Sequence, residues 1–99
     1  MLRLMIVDDE QIIREALSSM IDYTSLGYEV IATAKNGMEA YDRIRDDYPD
    51  VVITDIKMPI LNGLELIERA SRIDSRITFI LLSGYGEFCL LYTSDAADD

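Results

Sequence analysis

The stretch Val51-Val52-Ile53-Thr54-Asp55-Ile56-Lys57-Met58-Pro59 limits what this chain can become more than any other. A run of β-branched residues ends in one carboxylate, and a proline stands four positions further on. The run reads as a strand buried on both faces. Pro59 closes it, because proline has no N–H to give to a sheet ladder. A strand buried on both faces needs a layer above it and another below. Asp55 is then left at the strand's carboxyl end, where open sheets of alternating strands and helices place their chemistry.

The rest of the chain supplies those layers. Residues 2–7 are apolar apart from Arg3 and read as a first strand, stopping at Asp8-Asp9. From Glu10 the period changes, and Ile12, Ile13, Ala16, Leu17, Met20 and Ile21 recur at helical spacing. Asp8 or Asp9 is placed to cap that helix. Residues 23–27 read as a loop, and residues 28–34 as a second strand whose Glu29 and Thr33 suit a sheet edge. A second helix follows Asn36-Gly37 with Met38, Tyr41 and Ile44 inward, and a third follows Asn62-Gly63 with Leu66, Ile67, Ala70 and Ile73 on one side. Residues 77–82 form a fourth, strongly apolar strand ending at Ser83-Gly84. Strand and helix alternate, which predicts a parallel sheet with helices on both faces. Residues 86–92 could begin a helix, whereas 93–99 (TSDAADD) lack period and apolar content and read as a disordered acidic tail.

Composition narrows the function. The formal charge is −10 and there is no histidine. A surface this acidic repels phosphate backbones, so direct nucleic-acid binding is not expected. Histidine-based catalysis and histidine-bound zinc are excluded, while oxygen ligands for hard cations are plentiful. The single cysteine, Cys89, rules out an internal disulfide and fits a reducing, cytoplasmic setting. No apolar run approaches the ~20 residues of a membrane span.

Right-handed crossovers leave few topologies for such a chain. In the flavodoxin-like doubly wound order 2-1-3-4, strands 1 and 3 are neighbours. Asp8 and Asp9 then meet Asp55 in one crevice, with Ser83 at the end of strand 4. Two like charges about 4 Å apart repel by roughly 4 kcal/mol at an effective dielectric of ~20. Such a cluster therefore keeps a proton on one carboxyl or gathers around a divalent cation, for which magnesium is suited. With a metal's help a carboxylate can attack phosphorus and become an aspartyl phosphate. The plainer alternative is that these acids are turn residues and helix caps, as single acids after strands commonly are.

Ile6-Val7-Asp8-Asp9-Glu10, then Thr54-Asp55-Ile56-Lys57-Met58-Pro59 with Asn62-Gly63-Leu64-Glu65-Leu66, then Leu82-Ser83-Gly84-Tyr85, resemble a response-regulator receiver domain over about residues 2–88. The resemblance implies that Asp55 is the phosphoacceptor, phosphorylated by a histidine kinase. It implies magnesium held by the Asp9 and Asp55 side chains and the Lys57 backbone carbonyl, with Asp8 helping through water. Ser83 would hydrogen-bond the phosphoryl group. The region from Asp22 to Val30, with Leu26-Gly27-Tyr28, resembles receivers joined to arabinose-regulator-type helix-turn-helix domains, so any DNA binding belongs to such an output domain and not to this segment. The expected module is a signalling switch that assists its own phosphorylation, not a free-standing enzyme.

The resemblance stops near residue 88. A receiver continues through another helix, a lysine-led fifth strand and a last helix, whereas residues 89–99 (CLLYTSDAADD) match none of these and read as the end of a truncated product. Strand 4 is then expected to be an unpaired apolar edge open to self-association, and the phosphate chemistry to be impaired or lost. Two other classes use related parts. A haloacid-dehalogenase-type magnesium phosphatase wants Asp-x-Asp after strand 1, where this chain has adjacent acids. A flavin mononucleotide carrier wants a hydroxyl- and glycine-rich loop there, where Asp8-Asp9 would repel the phosphate.

Overall fold

The computed structural model describes residues 1–82 and 89–93. Four parallel strands, β1 (Leu2–Val7), β2 (Tyr28–Ala34), β3 (Val51–Asp55) and β4 (Thr78–Leu82), lie in the order β2-β1-β3-β4. Three helices connect or follow them: α1 (Gln11–Ser19), α2 (Gly37–Asp47) and α3 (Gly63–Ser71). This is the flavodoxin-like doubly wound arrangement expected from the alternating pattern, with β2 at one edge and β1 beside β3.

Successive side chains of a strand point to opposite faces, and this sorts the core into two. Met5, Val7, Val52, Phe79 and Leu81 face α2 and α3, and pack with Ala40, Ile44, Leu66, Ile67 and Ala70. Leu4, Ile6, Val51 and Ile53 face the other way, toward Tyr23 and the half-buried Leu17 of α1. Residues 51–54 of β3 are buried on both faces. The helix starts are well made on the first face. The Asn36 side chain caps α2 by accepting from Glu39 N at 2.8 Å. Asn62 and Glu65 form a reciprocal capping box on α3.

Helix α1 departs from expectation at its start. Neither Asp8 nor Asp9 caps it; the N-cap is Glu10, which makes no side-chain cap bond. Its apolar stripe is also largely uncovered, with Ile12 at 81% and Met20 at 82% exposure and no residue of the helix buried.

The chain after β4 differs more. Residues 89–93 do not begin a helix or a disordered tail: Cys89–Thr93 is a strand, β5, antiparallel to β4 with Leu82 opposite Cys89 and Thr78 opposite Thr93. Strand β4 is therefore paired on both sides, and the free edge foreseen there does not exist. The reason lies in long-range hydrogen bonding. An unpaired apolar strand offers a row of N–H and C=O groups, and a short segment rich in apolar and aromatic residues satisfies them. Residues 94–99, assigned to the tail, lie outside the described residues.

Candidate functional site

The site forms where the rows of the α1-side face run out. In β1 the row Leu4, Ile6 continues to Asp8, and in β3 the row Val51, Ile53 continues to Asp55. Since β1 and β3 are paired neighbours, both carboxylates arrive at one crevice and Asp9 joins them from the loop. Ligand atoms of Asp8, Asp9 and Asp55 all lie within 4.8 Å of one another. Asp8 is buried, Asp55 partly so, and Asp9 exposed. The three acids predicted to converge do so.

Asp8 is fixed from three directions. Its N–H donates to Ala34 O at 3.1 Å, its Oδ1 accepts from Glu10 N at 2.9 Å, and its carbonyl accepts from Arg14 Nη1 at 2.7 Å. Burial pushes its carboxyl pKa up from the ordinary 3.8. The Glu10 N–H opposes that rise, while the charges of Asp55, Asp9 and Glu10 add to it.

The loop after β3 forms the opposite wall. Asp9, Ile56, Lys57, Met58, Pro59 and Asn62 line an open cleft of about 450 Å³. Met58 turns inward to the core, while Lys57 is exposed. The loop is held tightly at Gly63, whose N–H donates to Ile56 O at 2.8 Å and where a Cβ would come within 2.5 Å of Asp55 O. A side chain at Gly37, at the start of α2, would collide with Leu61. Between these contacts Ile60 takes a φ of +73°, a left-handed conformation that β-branched residues avoid.

Residues 4–95 match the response regulator receiver domain family. The chain belongs to that family. The match runs past residue 88, where the motif resemblance stops. An uncharacterized transcriptional regulatory protein of Bacillus subtilis, YesN, is 46% identical over 88 residues, covering 89% of this chain and 24% of its own length. This receiver thus spans about a quarter of that relative. Among solved structures, the receiver domain of AraT, a response regulator from Geobacillus stearothermophilus, superposes with a TM-score of 0.81 at 36% identity, covering 87% of this chain and 67% of that one. The CheX–CheY–BeF3–Mg complex from Borrelia burgdorferi gives a TM-score of 0.76 at 30% identity, covering 87% and 64%.

Ser83, expected at the end of β4, lies outside the described residues of the receiver. Asp55 and Leu82 are paired across β3 and β4, so the end of β4 does adjoin Asp55. No helix among the described residues is long and apolar enough to cross a membrane. Sequence reasoning overlooked Arg14. Its signal was its place: a cation near the positive end of a helix opposes the helix dipole and calls for a compensating contact.

Proposed function

We propose that this receiver is the phosphoacceptor module of a two-component response regulator, in which Asp55 takes a phosphoryl group from a histidine kinase. The observation that carries the proposal is the convergence of Asp8, Asp9 and Asp55 at the β1–β3 strand ends. The donor set is all oxygen, which fits magnesium and disfavours softer metals. Asp9 and Asp55 would hold the ion through carboxylates, Lys57 through its carbonyl, and Asp8 through water. When bound, the ion supplies the positive charge that lets an anionic carboxylate and an anionic phosphoryl group approach each other.

The chain's own residues do the rest. A carboxylate oxygen of Asp55 attacks phosphorus, the bond from phosphorus to the donor's imidazole nitrogen breaks, and the nitrogen keeps the electron pair. Ser83 would donate a hydrogen bond to the transferred group. Asp8 and Asp9 would touch neither the leaving group nor the phosphorus and act by holding the ion. The acidic surface argues against DNA binding by this segment, and DNA contact belongs to an output domain of the arabinose-regulator type in a cytoplasmic regulator. The resemblance of residues 22–30 and the transcriptional relative support that assignment.

Beryllofluoride with magnesium, titrated into the protein and followed by NMR, tests the reading. Saturable shifts around residues 54–58 are expected, and Asp55→Asn should abolish them. An unresponsive wild-type spectrum overturns the proposal, and magnesium-dependent hydrolysis of a small phosphate ester would favour the phosphatase class instead.

A further inference from the structure

The β1–α1 connection carries the buried Asp8 and the exposed Asp9, yet α1 begins without a side-chain cap. The task of holding this connection falls to a residue that contributes no ligand atom. Arg14, half-buried on α1, reaches back six residues and donates from Nη1 to the Asp8 carbonyl at 2.7 Å. That carbonyl follows the last β1 residue paired to a neighbouring strand, in a residue only 2% exposed. Without the guanidinium it has no hydrogen-bond partner among the described contacts, and a buried carbonyl without one is costly.

We infer that Arg14 is a positioning residue for the cation site, fixing the Asp8–Asp9 backbone so that both carboxylates face Asp55. The inference rests on the magnesium reading above. Two features support a role in geometry and not in direct charge pairing. The contact goes to a backbone oxygen, and the influences on the Asp8 carboxyl are burial, the Glu10 N–H and neighbouring acids, with Arg14 absent from them. The planar fork of arginine also suits a fixed reach better than the flexible ammonium of lysine.

Magnesium alone, titrated against wild type, Arg14→Gln, Arg14→Lys and the remote exposed control Arg45→Gln, provides the test, with the thermal midpoint of each metal-free protein measured alongside. Partners of metal ligands typically shift affinity about 10- to 100-fold when removed. Arg14→Gln should weaken magnesium binding by about 10-fold or more, Arg14→Lys by less, and Arg45→Gln not at all. Saturating magnesium should restore wild-type NMR shifts at Asp8 and Asp9 in the Arg14 variants, which a loss of folding would prevent. If Arg14→Gln does not fold, Arg14→Lys carries the comparison. Wild-type affinity in every folded Arg14 variant overturns the inference; wild type that binds no magnesium overturns the underlying reading instead.

Discussion

The two faces of the sheet are unequally built. On one, α2 and α3 close over Met5, Val52, Phe79 and Leu81, both helices have asparagine caps, and the packing is continuous. On the other, α1 covers Leu4, Ile6, Val51 and Ile53 incompletely. An apolar cavity of about 240 Å³ remains there, lined by Leu4, Ile21, Tyr23, Leu26, Tyr28, Val51, Ile53 and Ile80. The acidic site grows from the rows of this looser face. The closed packing and the acidic cluster thus belong to opposite sides of the same strands, and neighbouring residues of one strand should respond differently to substitution.

The largest expected difference lies within β4. Phe79→Ala removes a fully buried ring from the closed face and should cost about 3–5 kcal/mol in urea denaturation. Ile80→Ala, one residue away on the cavity side, should cost about 1 kcal/mol, because its surroundings are already incompletely packed. Equal losses would break the comparison.

A smaller effect of opposite sign is expected at the strand end. Asp8 has a folded-state pKa raised mainly by burial. Protons therefore bind the folded state more tightly than the unfolded one. The stability this contributes is complete below the ordinary pKa of 3.8 and is lost as pH rises through the raised value. Asp8→Asn keeps an oxygen for Glu10 N and removes the charge. It should stabilise the metal-free protein by on the order of 1 kcal/mol at pH 7, with the gain vanishing below the ordinary carboxylate pKa. Thermal melts across pH check this, and a gain that persists in acid would assign the effect to something other than charge.

The smallest expected effect is at Met20, the C-cap of α1. Met20→Lys should change stability by less than about 0.5 kcal/mol, since the side chain is 82% exposed. A loss above ~1 kcal/mol in chemical denaturation would mean that this stripe is covered after all.

Much of this was readable in the chain because it depends on local periods. The two-residue period of a strand over residues 51–55 and the helical spacing of Leu66, Ile67 and Ala70 specify which face each residue takes. The carboxylates that end those rows then specify the site. What escaped reading depends on distant partners. The local pattern of Cys89–Thr93 does not decide between helix and strand; it becomes a strand because β4 lies open beside it. Arg14 reads as an ordinary surface cation until the Asp8 carbonyl is known to be within its reach. The stripe of α1 was recognised correctly as apolar, but periodicity cannot tell whether a neighbour covers it.

The two glycines beside the β3–α3 loop have a consequence for how such a site can change over generations. Gly37 and Gly63 hold the loop's path by having no side chain, while Lys57, Pro59 and Ile60 stand exposed on it. The backbone course and the chemical character of the rim are therefore inherited through different positions. Substitutions at the rim can alter its charge and shape without moving the backbone that carries Asp55, so the surface around the acidic cluster can drift while the geometry of the cluster stays in place.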